Sequence, residues 1–449
     1  MKRYEAYRPT KYEWLTEVPT HWQTRTMRSL TTVSSERRGN REATLLSVYR
    51  EYGVIVKSSR DDNHNVESED LSNYKWVRTG DLVMNKMKMW QGSLGVSEFD
   101  GIVSPAYIVC HINNENVNRR YLHMLLRSPC YKTYYNQFSY GIRVGQWDMH
   151  YEDFKGLEVA LPPREEQDQI VRYLDWQVSK INRLIAAKRK QIALLKDNLK
   201  SAVAYYTTHG LGNHELCQSE IYWLTHYPND WRVTKLRYIL EKHRREVTPN
   251  AELLICSNSG EVIKRGDGKL GLVASSDDIY QGVTAGDLLI HGMDTWHGAI
   301  AISSFDGMCT PVVHVCTCKE EKRYVAYYLK MMAYTKVFKA ISNGVRQNTS
   351  DFRSWDKVGD LLICLPEHDE QVAIADKLDH LTAQTKAGIS IFEKQIEHLQ
   401  ELRTHLISDV VTGQVDVRGI EVPEYEYVSE VSETNDNDED ELEDNEEAD

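Results

Sequence analysis

Side chains that could hydrogen-bond to nucleic-acid bases flank two tryptophans, Trp90 and Trp296, and occur again further along each half of the chain, at residues 143–146 and 346–348. Lys and Arg pair with guanine edges or phosphates, whereas Gln and Asn suit adenine. These residue types predict recognition chemistry, although solvated loop positions explain them equally well. The candidates in the first half are Lys86, Lys88, Gln91, Arg143 and Gln146, and those in the second half are His291, His297, Arg346, Gln347 and Asn348.

Motifs for catalysis are missing around these groups. The sequence has no Gly-x-x-x-x-Gly-Lys-[Ser/Thr] phosphate loop and no Asn/Asp-Pro-Pro-[Tyr/Phe] motif of amino-methyltransferases. Residues 266–271 match a dinucleotide-binding pattern but lack its strand–helix context, so they predict a surface loop. His314, Cys316 and Cys318 alternate along one strand face without a fourth ligand, which favours core thiols over a metal site. We therefore expect no catalytic residue, metal or cofactor in this chain.

The net charge of the chain comes from its C-terminal end. The 449 residues carry 54 Lys and Arg against 67 Asp and Glu, a net charge of −13. Residues 421–449 contain 15 acidic and no basic residues, which leaves 54 basic against 67 − 15 = 52 acidic residues, or +2, over residues 1–420. A nucleic-acid partner is therefore not excluded by charge, since local basic groups decide it.

Other sequence features predict a cytoplasmic protein. No apolar run approaches the roughly 18 residues of a membrane span. The N-terminal residues lack the apolar stretch of a signal peptide. The 8 cysteines are scattered without a framework spacing, as expected for reduced thiols.

The sequence is an internal tandem duplication of a unit of about 205 residues. Several motifs return in the same order with nearly constant spacing. Trp14-Leu15 with Pro19 and Trp22 returns as Trp223-Leu224 with Pro228 and Trp231, Gly80-Asp81-Leu82 as Gly286-Asp287-Leu288, Phe99-Asp100-Gly101 as Phe305-Asp306-Gly307, Gly141-Ile142-Arg143 as Gly344-Val345-Arg346, and Leu161-Pro162 with Glu166-Gln167 as Leu365-Pro366 with Glu370-Gln371.

Each copy combines a mixed head with one long helix. Short apolar stretches between turn residues predict an α+β head. The helices open at Pro162 and Pro366, end before Gly210 and near Gly413, and carry apolar residues at three- or four-residue steps. Each would be on the order of 60 Å long, so its narrow apolar stripe needs a second helix beside it. We expect an antiparallel coiled coil, the alternative being two helices folded onto their own heads.

These repeated motifs resemble the specificity (S) subunit of type I restriction–modification systems, over residues 1–415. The most specific pieces are Trp14-Leu15 with Pro19 and Trp22, Gly141-x-Arg143, and Leu161-Pro162-Pro163-x-x-Glu166-Gln167. The resemblance implies two target recognition domains, residues 1–160 and 210–365, with spacer helices at 161–209 and 366–413. The acidic segment 414–449 falls outside the family pattern, and its composition predicts disorder.

The resemblance also implies the partners. Each domain would read one half of a bipartite, asymmetric site in double-stranded DNA, and the helices would space the domains and dock two methyltransferase subunits. Restriction/translocase subunits would join the full complex, and S-adenosylmethionine, ATP and Mg would be used by these partners. The chain itself would be non-catalytic. Two further hypotheses remain: the specificity subunit of a related system with a fused methyltransferase–nuclease, and a protein-binding coiled-coil adaptor.

Matched positions in the two copies separate shared roles from specific ones. Trp90 and Trp296 occupy matched positions, which favours a core role for them. Arg143 and Arg346 also recur, which favours a phosphate or structural role for these arginines. Lys86-Met87-Lys88 corresponds to Gly292-Met293-Asp294, a difference expected of heads that read different sequences. Glu166-Gln167 and its repeat could serve the helix start or a methyltransferase contact.

The C-terminal half of the first long helix is rich in basic residues, among them Arg183, Lys188, Arg189 and Lys190. Three explanations remain for it. It could be a solvated helix face, lie near DNA between the half-sites, or pair with acidic residues of the second long helix.

Overall fold

The computed structural model describes residues 2–50, 52–59, 70–143, 146–221, 223–266, 279–342 and 352–429, with backbone only for residues 142, 143 and 146. The described chain divides into two compact units. Unit 1 contains residues up to 188 and again from 394 to 429, and unit 2 contains residues 189–393.

Unit 1 is a β-rich head followed by the first part of a long helix. Its strands are β1 (Tyr7–Tyr12), β2 (Leu15–Pro19), β3 (Gln23–Thr26), β4 (Thr31–Val33), β5 (Leu46–Tyr49), β6 (Gly53–Val56), β7 (Lys75–Val77), β8 (Leu82–Asn85), β9 (Leu94–Val96), β10 (Gly101–Val103), β11 (Tyr107–Ile112), β12 (Tyr140–Arg143), β13 (Gln146–Asp148) and β14 (Glu158–Leu161). Its helices are α1 (Met27–Leu30), α2 (Arg119–Arg127), α3 (Pro129–Gln137), α4 (Tyr151–Phe154) and α5 (Arg164–His209), with 3₁₀ turns at Lys57–Ser59 and Lys86–Gln91.

A four-stranded antiparallel sheet in the order β4-β11-β8-β9 forms the centre of this head. The central strand β8 is buried on both faces, which explains its continuous apolar run. Because successive side chains point to opposite faces, Leu82 and Met84 join the larger core with α2, while Val83 joins a smaller core with the β5–β6 hairpin. The head therefore has one sheet between two apolar layers.

Unit 2 repeats this plan. Its strands are β15 (Leu216–Gln218), β16 (His226–Pro228), β17 (Arg232–Lys235), β18 (Leu240–His243), β19 (Leu254–Cys256), β20 (Val262–Lys264), β21 (Gln281–Val283), β22 (Leu288–His291), β23 (Ile300–Ile302), β24 (Gly307–Cys309), β25 (Val313–Cys318) and β26 (Leu362–Leu365). Its helices are α6 (Leu236–Ile239), α7 (Lys322–Tyr334), α8 (Val337–Ile341), α9 (Trp355–Gly359) and the first part of α10 (His368–Val411), with a 3₁₀ turn at Thr295–His297.

The two heads share the topology of their central sheets. The central sheet of unit 2 has the order β18-β25-β22-β23, which matches β4-β11-β8-β9 of unit 1. The repeated Phe-Asp-Gly motif enters β10 and β24, and its glycine has a steric reason in both copies. A Cβ at Gly101 would lie 2.4 Å from the Thr44 carbonyl oxygen, and one at Gly307 would lie 2.6 Å from that of Glu252. The predicted α+β duplication is confirmed.

The long helices pair within each unit. In unit 1, Ile181 and Ile185 of α5 share a core with Leu406 and Val410 of α10. In unit 2, Val203 near the end of α5 shares a core with Leu378 near the start of α10. Early residues of one helix thus meet late residues of the other, which confirms the antiparallel pairing. No helix in the described ranges is long and apolar enough to span a membrane.

Residues 414–429 pack against the rest of unit 1, although they belong to the segment whose composition predicted disorder. Val417 is fully buried in the core of unit 1, and Asp416 N–H donates to the Lys2 carbonyl at 2.9 Å. Gln169 Nε2 of α5 donates to the carbonyls of Val417 and Ile420. The physical reason is local: this stretch contains several apolar and aromatic residues, whereas the acidic residues concentrate after it.

Candidate nucleic-acid interface

In unit 1, the first candidate cluster is a 3₁₀ turn directly after the central strand β8. Asn85 begins the turn by accepting a hydrogen bond from Met87 N–H, at 3.2 Å, through its side chain. Gly92 ends it with a left-handed backbone, φ 90°. Met89 is buried and fixes the turn to the core, so Met87 and Lys88 are left exposed. The fold thus presents Lys88 to solvent at the end of a rigid strand.

The structure brings the β12–β13 hairpin beside this turn. Met149 N–H donates to the Lys86 carbonyl at 3.1 Å, and Lys86 Nζ lies 2.8 Å from the Asp148 carboxylate. The rings of Trp90 and Trp147 meet edge to face at 5.2 Å between centroids. Candidate residues far apart in sequence therefore share one surface region.

Two candidates, Arg143 and Gln146, are placed only by their backbone. They face each other in the hairpin register, at the end nearest its turn. Their shared hairpin with Asp148, which contacts Lys86, puts them on the element next to the 3₁₀ turn. Tyr140, at the start of the same hairpin, is 58% exposed and was missed from the sequence. Its position just before the repeated Gly-x-Arg motif could have indicated it.

Unit 2 has a matching turn with different chemistry. His291 Nδ1 lies 2.9 Å from the Asp294 carboxylate. Burial alone would favour the neutral acid, but the hydrogen bond from His291 and the charges of His291 and His297 lower the Asp294 pKa below its usual range. Asp294 occupies the sequence position of Lys88, so matched positions after the central strand carry an anion here and a cation in unit 1.

Of the remaining candidates of unit 2, the structure describes His297. His297 stacks edge to face on Trp296, at 4.8 Å between ring centroids. Lys339 Nζ lies 4.7 Å from the Trp296 ring centroid and was not among the candidates from sequence, because the fold alone brings α8 to this turn. Arg346, Gln347 and Asn348 lie outside the described residues.

The two repeated tryptophans are half-buried against their heads. Among the described residues, the indole N–H groups of Trp90 and Trp296 are buried and have no hydrogen-bond partner. The sequence predicted a core role for them over stacking on DNA. Trp296 packs against the main core of unit 2, which fits that role.

Glu166 at the start of α5 organises the N-terminal part of unit 1. Its buried carboxylate accepts hydrogen bonds from Tyr4 Oη at 2.7 Å and Trp22 Nε1 at 3.0 Å, and it lies 2.8 Å from His21 Nε2. Burial, followed by this carboxylate, raises the Tyr4 pKa well above its usual range. In unit 2, Glu370 lies 2.8 Å from His214 Nε2. These contacts give the repeated glutamate a structural role.

The adjacent glutamine has the same partners in both units. Gln167 Oε1 accepts from Asn118 N–H at 2.8 Å while its Nε2 donates to the Pro162 carbonyl at 2.9 Å. Gln371 accepts from Glu321 N–H and donates to the Pro366 carbonyl at 3.1 and 2.9 Å. One side chain thus joins the start of the long helix to the start of the head helix, α2 or α7.

The alternating His314, Cys316 and Cys318 lie on the central strand β25. His314 is fully buried and its Nε2 is 2.7 Å from the Phe352 carbonyl oxygen. Burial raises the pKa of the Cys316 thiol to about 12, which keeps it protonated. In the described part of the chain, no group of three His, Cys, Asp or Glu side chains could hold a metal ion.

Comparisons with known proteins converge on one family. The chain is 25% identical to the putative type I restriction enzyme MjaX specificity subunit of Methanocaldococcus jannaschii, over 79% of this chain and 82% of that protein. It is 22% identical to the type I restriction enzyme MjaVIII specificity subunit of the same organism, over 78% of this chain and 84% of that protein. No family model matches the sequence.

The fold has a counterpart among solved structures. A chain from a study of complex assembly and conformational transition of the type I restriction–modification system superposes with a TM-score of 0.60. The match has 14% identity and covers 89% of this chain and 99% of that chain. The duplicated heads and the paired helices match the fold of that chain, and the sequence is similar, over 79% and 78% of its length, to proteins named as type I restriction enzyme specificity subunits.

Proposed function

We propose that this chain selects the DNA sequence on which a type I restriction–modification complex acts. Each head would read one half of a bipartite, asymmetric site in double-stranded DNA. The observation that carries the proposal is a pair of 3₁₀ turns that follow the central strands β8 and β22 and end at the left-handed Gly92 and Gly298. At matched positions these segments carry an exposed Lys88 in one head and a partly buried Asp294 in the other. Similar heads with different polar groups at matched positions are what two different half-sites require.

The long helices would space the heads and dock two methyltransferase subunits. In support, α5 and α10 pair through apolar residues in each unit while much of their outer surface stays exposed. Restriction/translocase subunits would join the full cytoplasmic complex. In this arrangement S-adenosylmethionine, ATP and Mg act in the partner subunits, and this chain contributes recognition and geometry.

The test is to co-express the chain with the methyltransferase encoded beside it and to map modified adenines by sequencing. We expect the methyltransferase to co-purify and a split motif to be methylated. Replacing residues 210–365 with the equivalent head of another specificity subunit should change one half of the motif and leave the other half intact. If no methyltransferase binds and no split motif is modified, the proposal is wrong.

The same experiment separates the two alternatives. Co-purification of one chain that contains both methyltransferase and nuclease domains would indicate the related modification system. Binding of other proteins without any methylated motif would indicate an adaptor.

A further inference from the structure

The C-terminal segment of the chain is held by side chains of α5 in a specific way. We call residues 420–429 the strap. Val428 N–H donates to Ser179 Oγ at 3.2 Å, and Asn182 Nδ2 donates to the Val428 carbonyl at 3.0 Å. Ser179 is 2% exposed and Asn182 is 1% exposed. Two buried side chains one helical turn apart thus bind both backbone groups of one strap residue.

Further contacts give the strap a direction. The Ile420 carbonyl accepts from Gln169 Nε2 at 2.6 Å, near the start of α5, whereas Val428 is bound thirteen residues later at Asn182. Arg120 Nη2 of α2 donates to Tyr427 Oη at 2.7 Å. The strap therefore runs parallel to α5, and the described chain ends beside Arg183, whose Nη2 lies 3.4 Å from the Glu426 carboxylate.

Unit 2 lacks this anchor. By the spacing that relates Gln167 to Gln371, the positions of Ser179 and Asn182 are taken by Ala383 and Lys386. Lys386 pairs instead with Glu261, on the head of unit 2. The anchor is therefore not a consequence of the duplication, because only the copy that receives the C-terminal segment has it.

Charge complementarity begins where the strap ends. Residues 430–449 contain 12 acidic and no basic residues. Between Asp175 and Asp197, α5 carries no acidic residue and six basic ones: Lys180, Arg183, Lys188, Arg189, Lys190 and Lys196. An extended chain of this length reaches at most about 66 Å, whereas the basic stretch rises only about 24 Å along the helix, so the acidic segment is long enough to follow it.

We propose that residues 430–449 dock along the basic stretch of α5 and act as a built-in polyanion that competes with DNA for it. The strap holds the acidic residues close by, which gives them a high effective concentration. The segment would weaken sequence-independent binding, which depends mainly on phosphate charge. The expected effect on DNA binding rests on the proposed function, whereas the docking of the acidic segment on α5 does not.

The docking is tested without DNA by zero-length carbodiimide crosslinking of the full chain followed by mass spectrometry. We expect tail carboxylates to couple to Lys180 and Lys190. Val428→Pro removes the N–H that binds Ser179 while keeping every charge, so it should lower the crosslink yield several-fold. Crosslinks confined to lysines elsewhere, or a yield unchanged by Val428→Pro, would overturn the docking.

The competition is tested with a chain in which the 12 acidic residues of 430–449 are changed to Asn or Gln, which keeps the length. Binding to a random-sequence duplex is followed by fluorescence anisotropy. We expect about tenfold tighter binding than the unmodified chain at about 50 mM salt, and convergence of the two at about 300 mM. Equal affinities at low salt would refute the competition. Absence of DNA binding by both chains, with tail crosslinks present, would count against the proposed function and not the docking.

Discussion

Arg120 of α2 binds Asp175 of α5, with its Nε and Nη2 at 3.1 and 2.9 Å from the same carboxylate oxygen. The second copy repeats the contact, since Arg323 Nη1 of α7 lies 2.8 Å from the Asp379 carboxylate of α10. In each unit one arginine thus joins the head to its long helix. The orientation of each head on its long helix would affect any function that depends on the spacing of the heads.

We predict that the Arg120–Asp175 pair stabilises unit 1 by about 1 to 2 kcal/mol, measured as the coupling in a double-mutant cycle of Arg120→Ala and Asp175→Ala. The Asp175 side chain is only 16% exposed, so solvent screens its attraction to the arginine only weakly. The Arg323–Asp379 cycle is the matched control. It should give less than about 1 kcal/mol, because Asp379 is 45% exposed and solvent screens the pair. Equal couplings would contradict this.

Glu166→Ala should destabilise unit 1 by about 3 kcal/mol, because it leaves the buried hydroxyl of Tyr4 and indole N–H of Trp22 without an acceptor. Chemical denaturation monitored by the fluorescence of Trp22 and the other tryptophans measures the loss. The neighbouring Glu165 is exposed and serves as control, and Glu165→Ala should change stability by less than about 0.5 kcal/mol. A Glu166→Ala chain as stable as the control would refute the structural role of this carboxylate.

His123 of α2 should make unit 1 sensitive to mild acid. Its Nδ1 accepts from Val96 N–H, and burial together with the charges of Arg127 and Arg120 lowers its pKa from 6.5 to about 3. Since the folded pKa lies below the unfolded one, the stabilisation is complete above pH 6.5 and is lost as the pH falls toward 3. At about pH 5 the loss should be on the order of 2 kcal/mol.

Hydrogen exchange of β9 and α2 peptides at pH 7 and pH 5, corrected for the intrinsic rate, measures this effect. His123→Asn keeps an acceptor for Val96 N–H and removes the titration, so it should abolish the pH-dependent part. Unit 2 is an internal control, because the matching position of α7 is Ala326. An acid response that persists in His123→Asn would show that another group causes it.

Lys88→Ala should weaken DNA binding if the 3₁₀ turn of unit 1 faces DNA. If Lys88 contacts a phosphate, its loss would lower the affinity equally for all DNA sequences and reduce the salt dependence of binding by about one ion. If Lys88 contacts a base, its loss would cost about 1 to 3 kcal/mol of binding free energy at one position of the motif. Binding titrations at several salt concentrations distinguish the two. Lys2→Ala, at an exposed position outside this surface region, is the control, and equal effects of the two changes would argue against the interface.

Several features of the fold were accessible from sequence because they depend on repetition and periodicity. The two copies, the α+β heads and the antiparallel helices follow from motif order, turn residues and apolar spacing, which are local signals. The repetition of the Phe-Asp-Gly motif was visible in the sequence, whereas the steric reason for Gly101 appears only when the Thr44 carbonyl is seen beside it.

Other features could be seen only in the structure, because the composition of a segment does not say which of its residues are buried. The segment 414–449 is acidic as a whole, yet its first part supplies Val417 to the core and Val428 to the Ser179–Asn182 anchor. Likewise, the sequence left Glu166 between a helix-start role and a partner contact. The hydrogen bonds from Tyr4 and Trp22 assign it a structural role, since those donors are distant in sequence and meet only in the fold.

The sequence by itself determined the architecture: two divergent copies of one head, each followed by a long amphipathic helix. Tertiary structure decided which side chains act together, as with Lys86 and Asp148, Arg120 and Asp175, or Asn182 and Val428. The physical reason is that apolar periodicity specifies which face of an element is buried, whereas hydrogen bonds and ion pairs depend on distances of a few ångströms between elements.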